Sequence, residues 1–357
     1  MADEQTCPSC NALSAADANW CEACGGDLDA DAPAPKNPCV SCQAIAAEIT
    51  DDDYCQVCGT KQPAPEDHVV ADHGWFAIVS DRGRVHRTNE DAGAVAARTT
   101  GVALVVCDGV SSTDASQDAS QNAARTIISE IEAIDATTFD TAIVSAAEAA
   151  QTEIVNVTSQ TSAEPPSCTM VTVVAEVNQK DATLHIAWLG DSRAYWVAQG
   201  TAVQLTRDHS WALEQLELGE LDPEVIQADS RAHSITRWLG ADSRDVTPEL
   251  NSLEVELPGL VVVCSDGLWN YAPTEAELHD VVMDGPAEES ALERAERLVA
   301  FANAKGGHDN ITVAIAELSE RRQAPASEAL ADDPSGDDND SDTELTSRNT
   351  DQTDEQE

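Results

Sequence analysis

Four short segments, spread along the chain from position 89 to 310, each set an acidic side chain at the mouth of an apolar run. They are Asn89-Glu90-Asp91, Cys107-Asp108-Gly109 after Val106, Ser265-Asp266-Gly267 after Cys264, and His308-Asp309-Asn310 before Ile311. Taken singly, an Asp after a strand reads as a turn former or a helix cap. Taken together, they read as one metal site assembled by folding. Carboxylates from different strand ends, without a His or Cys cluster, suit hard divalent ions such as Mg2+ and Mn2+, which prefer oxygen ligands and retain several waters.

A second set of residues calls for a different metal. Eight of the 11 cysteines form CxxC pairs: Cys7 with Cys10 and Cys21 with Cys24, then Cys39 with Cys42 and Cys55 with Cys58. The arrangement is an internal duplication. Each CxxC bends the chain so that two thiolates face one point, and Gly25 and Gly59 follow the second knuckle of each unit, where a tight turn is needed. Redox CxxC motifs do not normally come in matched fours, so residues 1–60 read as two zinc ribbons, each with one structural Zn2+ in a closed set of four thiolates. Such units have almost no core, and zinc would supply most of their folding free energy. Lys36 and Lys61 are the only basic residues before His68, which disfavours nucleic acid and points to protein docking by the ribbons. The remaining Cys107, Cys168 and Cys264 sit among apolar residues and read as small core side chains.

The elements that position these residues follow from hydrophobic pattern. Runs rich in Val, Ile and aromatics at 75–79, 102–107, 170–177, 184–189, 194–198, 260–264 and 311–316 predict strands. Helical spacing of Ala119, Ala123, Ile127 and Ile131, and of Ile143, Ala147, Ala150 and Ile154, predicts two helices, and others fit 209–218, 274–283 and 288–304. Strands in runs, more than in strict alternation with helices, argue for an α+β fold with packed antiparallel sheets covered by helices. The chain divides into ribbons over 1–60, a Pro-containing linker over 61–73, a large domain over 74–319, and an acidic tail over 320–357 that is too polar to order itself. Formal charge is −47, from 66 acidic and 19 basic side chains, so nucleic acid and anionic membranes are poor partners. No stretch has the roughly 20 apolar residues of a membrane span, and the N-terminus lacks an export signal, which predicts a cytoplasmic protein.

Seven segments in order resemble the motifs of the metal-dependent protein phosphatases, type 2C, in their bacterial form: Ser80-Asp81-Arg82-Gly83 through Asp91; Cys107-Asp108-Gly109; Gly190-Asp191-Ser192-Arg193-Ala194-Tyr195; Leu205-Thr206-Arg207-Asp208-His209-Ser210; Ile235-Thr236-Arg237-Trp238-Leu239-Gly240; Cys264-Ser265-Asp266-Gly267-Leu268-Trp269; and Gly307-His308-Asp309-Asn310-Ile311-Thr312. The resemblance covers about 75–318. It implies a four-layer sandwich, helices outside and two antiparallel sheets inside. It also implies two Mg2+ or Mn2+ ions, with Asp108 bridging them, Asp266 and Asp309 completing one site, and Glu90 with the Gly109 carbonyl serving the other. Asp91 is expected to orient a water behind these ligands. Asp191 resembles the residue that helps hold a third, weaker ion; by itself it is also a turn former after Leu189. Asn270 stands where some relatives carry a further aspartate, which weakens the case for that ion.

Phosphate gripping departs from the family pattern. Many members carry Arg four residues before the glutamate; here His86 holds that place and Arg87 follows. Arg87 suits a bidentate phosphate contact, His86 a hydrogen bond or proton donation to the leaving oxygen, and a His without a role is an equal alternative. The resemblance implies a phosphatase acting on phosphoserine and phosphothreonine in targets of a serine/threonine kinase. Water activated by the metal pair would attack directly, with no Ser or Cys nucleophile. The alternative is a catalytically silent scaffold that binds a protein partner through its ribbons.

Overall fold

The computed structural model describes residues 38–45, 48–50, 53–110, 115–132, 134, 138–157, 165–232 and 234–320, together with strands β1 (Glu4–Thr6) and β2 (Leu13–Ala15), which pair antiparallel. Cys7, Cys10, Cys21, Cys24 and the acidic tail beyond Glu320 lie outside the described residues.

Two antiparallel sheets form the centre. One contains β3 (His68–Asp72), β4 (Phe76–Asp81), β10 (Arg193–Ala198), β11 (Thr201–Gln204), β14 (Gly259–Cys264) and β15 (Ile311–Leu318), in the spatial order β11, β10, β14, β15, β4, β3. The other contains β5 (Ala92–Arg98), β6 (Gly101–Cys107), β8 (Met170–Val177), β9 (Asp181–Leu189) and β13 (Glu249–Glu256), in the order β13, β9, β8, β6, β5. A short pair, β7 (Ser167–Cys168) and β12 (Leu239–Gly240), lies apart from both.

Every residue of β6 is buried, because its two faces meet different layers. Val102, Leu104 and Val106 join Phe76, Ile78, Val261, Val263 and Ala314 of the other sheet. Ala103, Val105 and Cys107 instead pack on Ile127, Ile143 and Ile154 of α1 (Ser116–Ile131) and α2 (Phe139–Val157). The first sheet repeats the arrangement: its outward Val79, Val262, Val313 and Ile315 cluster with Leu278 of α6 (Glu275–Met283) and Ala295, Leu298 and Val299 of α7 (Ala291–Lys305). The layers therefore run helices, sheet, sheet, helices. Each fully buried Val, Leu or Ile contributes roughly 1.5–3 kcal/mol, so the sandwich can carry unfavourable charge at its rim. No helix among the described residues is long and apolar enough to cross a membrane.

Helix starts follow their caps. Thr274 with Glu277 and Ser290 with Glu293 form capping boxes at α6 and α7, and α3 (Trp211–Leu218) begins at the Ser210 cap and ends at Gly219, φ 65°. Differences from the sequence pattern fall at edges. β3, within the stretch read as linker, and β13 are edge strands with mainly exposed side chains, so neither shows the apolar alternation of a covered strand. β5 is alanine-rich and shows no β-branched run.

Candidate metal centre

Register brings the acidic residues to one end of the sandwich. Ala92 pairs with Cys107, Met170 with Leu189, and Cys264 with both Arg193 and Val313. The loops beyond these pairs carry Glu90, Asp108, Asp191, Asp266 and Asp309, and all five line one cavity of about 1030 Å³ together with Gly109. Asp266 opens the short helix α5 (Asp266–Trp269). Asp91 lies behind the others, 4 % exposed, and accepts the Ser265 hydroxyl at 2.7 Å.

Hydrogen bonds fix each loop. The Asp108 amide donates to Thr169 Oγ1 at 3.0 Å, and the Thr169 amide returns a bond to the Asp108 carbonyl at 2.8 Å. Asn310 joins two loops: its Oδ1 accepts the Glu90 amide at 2.8 Å, while its Nδ2 donates to the carbonyls of Arg82 and Thr88 at 2.8 and 3.0 Å. Ser265 Oγ accepts the Thr312 amide at 2.9 Å while donating to Asp91. Asn270 Nδ2 donates to Asp266 Oδ2 at 3.0 Å. Asn310 and Ser265 thus organise the site, although their sequence context marks them only as parts of motifs.

The electrostatics explain why such a site wants cations. Burial, and then Asp91, Asp266, Asp191 and Asp309 nearby, push the Asp108 carboxyl well above the usual carboxylate range. Burial followed by Asp191 and Asp309 does the same to Asp266. Asp191 is pushed up to about 7 by burial and then Asp208, and Asp91 to about 7 by burial, against the Ser265 hydrogen bond. Crowded carboxylates of this kind hold protons or positive charge. An all-oxygen donor set around an open cavity fits hard divalent cations.

His86 and Arg87 line the same cavity. His86 Nε2 lies 3.4 Å from Asp309 Oδ1. Trp238 and Asp242 line it too, with the indole N–H donating to Asp242 at 2.9 Å. Beside the cavity, Arg193 makes a bidentate pair with Asp208 at 2.9 and 2.7 Å and stacks over Trp269, whose indole donates to the Asp191 carbonyl. The isolated cysteines are all fully buried. Burial holds Cys264 up to about 12, and the Cys168 thiol and then burial hold Cys107 well above the usual thiol value, so neither is an activated nucleophile.

Cys39, Cys42, Cys55 and Cys58 place their sulfurs within 4.8 Å of one another, the one group of His, Cys, Asp or Glu donors that close together among the described residues. Cys39 Sγ to Cys58 Sγ and Cys42 Sγ to Cys55 Sγ are each 3.6 Å. Tetrahedral Zn–S bonds of about 2.3 Å require sulfurs about 3.8 Å apart, so the set fits zinc. Gly59, φ +76°, supplies the turn after the last knuckle.

Known proteins are similar to this chain in fold and in sequence. The family model described as protein phosphatase 2C matches residues 73–215. A serine/threonine phosphatase, stp, of Listeria welshimeri is 32 % identical over 246 residues, covering 67 % of this chain and 93 % of that protein. PstP of Mycobacterium tuberculosis is 28 % identical over 264 residues, 74 % of this chain and 48 % of its own. Among solved structures, the S. agalactiae serine/threonine phosphatase aligns with TM-score 0.60 at 24 % identity, covering 70 % of this chain and all of that one. The catalytic domain of PstP, in complex with two manganese ions, aligns with TM-score 0.54 at 26 % identity, covering 71 % and 99 %.

Proposed function

The chain belongs to the protein phosphatase 2C family and is a serine/threonine protein phosphatase, and on that premise we propose that it hydrolyses phosphoserine and phosphothreonine with two Mn2+ or Mg2+ ions. The observation that carries this reading is the convergence of Glu90, Asp108, Asp191, Asp266 and Asp309 on one cavity, with burial and mutual repulsion raising several of them. The manganese pair in the PstP catalytic domain supports it. In our assignment Asp108 would serve both ions, Asp266 and Asp309 would help hold one of them, and Glu90 with the Gly109 carbonyl would help hold the other. Such ions, when bound, lower the pKa of water and neutralise phosphoryl oxygens.

The protein's own groups then orient and protonate. Asp91, anchored by Ser265, is assigned to orienting water in the cavity. Arg87 at the cavity rim suits a bidentate phosphate contact. His86 is assigned to the general acid that protonates the leaving seryl or threonyl oxygen. Activity would then depend on the protonated imidazole and fall at alkaline pH. His86→Ala should remove that alkaline limb from the pH–rate profile; an unchanged profile refutes the role. Asp191 we assign to a third, weaker ion, with Asn270 already hydrogen-bonded to Asp266.

We further propose that residues 74–319 carry the chemistry and that residues 1–60 form the two structural zinc ribbons. The experiment is phosphate release from phosphoserine peptides by the full chain, with and without Mn2+. Turnover should appear with Mn2+ and vanish on chelation; metal-independent turnover contradicts the proposal. With a formal charge of −47, basic phosphopeptides should show a higher kcat/KM than acidic ones at low ionic strength, and the difference should shrink with salt. Equal values at low ionic strength would end the steering argument.

A further inference from the structure

Four contacts join the end of the second cysteine unit and the segment after it to the loop that carries His86, Arg87 and Glu90. Lys61 Nζ donates to the Arg87 carbonyl at 2.9 Å. Asn89 Nδ2 donates to the Glu66 carbonyl at 3.2 Å. Arg82 donates its amide to the Asp67 carbonyl at 2.8 Å and pairs with the Asp67 carboxylate at 3.2 Å. The loop between Arg82 and Glu90 is therefore gripped on one side by residues 61–67 and on the other by Asn310.

The same residues reach back to the sulfurs. Lys61 bridges antiparallel to Tyr54, one residue before Cys55. Gln62, 9 % exposed, donates from Nε2 to Cys39 Sγ at 3.4 Å, accepts the Val40 amide at 2.9 Å, and donates its own amide to the Asp53 carbonyl at 2.7 Å. Pro63 and Pro65 limit the slack between this hub and the catalytic sheets. The apolar cluster of the unit is only Cys39, Ile49 and Cys55 with Ala44 against it. So small a cluster cannot hold Lys61 in place, whereas a bound zinc can.

We propose that Lys61 is a positioning residue for the phosphate-gripping loop, and that zinc on Cys39, Cys42, Cys55 and Cys58 sets its position, coupling the metal state of the ribbon to phosphate affinity. This rests on the phosphatase reading for its effect on substrate. The coupling itself is independent of turnover. Loss of zinc by chelation frees residues 53–62 and removes the Lys61 contact, leaving the Arg87 carbonyl only the longer Arg82 bond at 3.5 Å, so the backbone that carries Arg87 loosens. Asp108, Asp266 and Asp309 on the other loops keep their places, whereas His86 and Glu90 share the loosened loop with Arg87, so substrate affinity and the chemical step both suffer.

The test uses the full chain in four forms: wild type, Lys61→Met, Cys58→Ser and the double variant, each with measured zinc content. Amide hydrogen exchange over residues 83–90 should quicken in both single variants. KM for a phosphoserine peptide should rise about fivefold to tenfold, the worth of one ordinary hydrogen bond, with kcat falling alongside it because His86 and Glu90 share the loop. Lys61→Arg should restore both readouts, which a merely structural contact would not require. Because zinc acts through Lys61, the double variant should be no worse than Cys58→Ser alone. Loss of ribbon zinc with unchanged exchange and KM, or additive effects in the double variant, would overturn the proposal. If no form hydrolysed phosphopeptide, the phosphatase reading would fall while the exchange data still decided the coupling.

Discussion

Asp108→Asn is expected to lower kcat/KM for a phosphoserine peptide at least about a thousandfold, equivalent to about 4 kcal/mol of transition-state stabilisation. Asp108 follows β6, lines the cavity, and feels the charge of Asp91, Asp266, Asp191 and Asp309. In the assignment proposed above it would serve both ions. The variant should not unfold. In metal-free protein, the crowded carboxylates favour protonation, so their contribution to stability is fully present below about pH 4 and is lost as pH rises through about 7, where Asp91 and Asp191 titrate. Asn replaces a carboxyl that must take up a proton on folding at neutral pH, so the substitution removes that cost. Chelated Asp108→Asn should therefore melt at or above the temperature of chelated wild type at neutral pH, while Mn2+ raises the melting temperature of wild type alone. A variant that lost activity by misfolding would melt lower in both conditions, and a variant with full activity would remove Asp108 from the site.

Gly267→Ala is the second change with a large expected effect. An added Cβ would lie 1.9 Å from the Asn310 carbonyl oxygen and 2.8 Å from its carbon. Both are backbone atoms, so no side-chain rotation makes room. Relief requires α5 to move away from the turn before β15, which separates Asp266 from Asp309. Overpacking of this kind costs about 1–3 kcal/mol, and the displaced carboxylates should lose about a hundredfold or more in activity, since small misplacements of reacting groups cost that much. Raising Mn2+ should recover part of the activity, because weaker metal binding is overcome by mass action. Wild-type stability and turnover in Gly267→Ala would mean that the close approach of these two loops is not needed.

Much of this was legible in the sequence, for identifiable reasons. Val102 to Cys107, Val171 to Val174 and Ile311 to Ala316 are apolar runs buried on both faces, and such runs announce strands. The acidic lining of the cavity was foreshadowed by aspartates at strand ends, and the cluster of Cys39, Cys42, Cys55 and Cys58 by its spacing. What escaped is held by geometry that no local pattern encodes. β3 and β13 face solvent and carry no alternation, and alanine-rich β5 lacks β-branched residues. Asn310 organises Glu90 from 220 positions away, so its role appears only after folding. The grip of Lys61 on the Arg87 carbonyl joins a cysteine unit to the loop that carries His86, Arg87 and Glu90, and neither segment marks the other. The cysteines of the first unit lie outside the described residues.

The most direct test of a paired-cation phosphatase is a Mn2+ titration of chelated, zinc-retaining full chain followed by calorimetry, run beside Asp108→Asn. Wild type should take up two ions with turnover rising in step, and Asp108→Asn should lose that uptake. Equal uptake by both proteins, or turnover in wild type that precedes any uptake, would contradict the account.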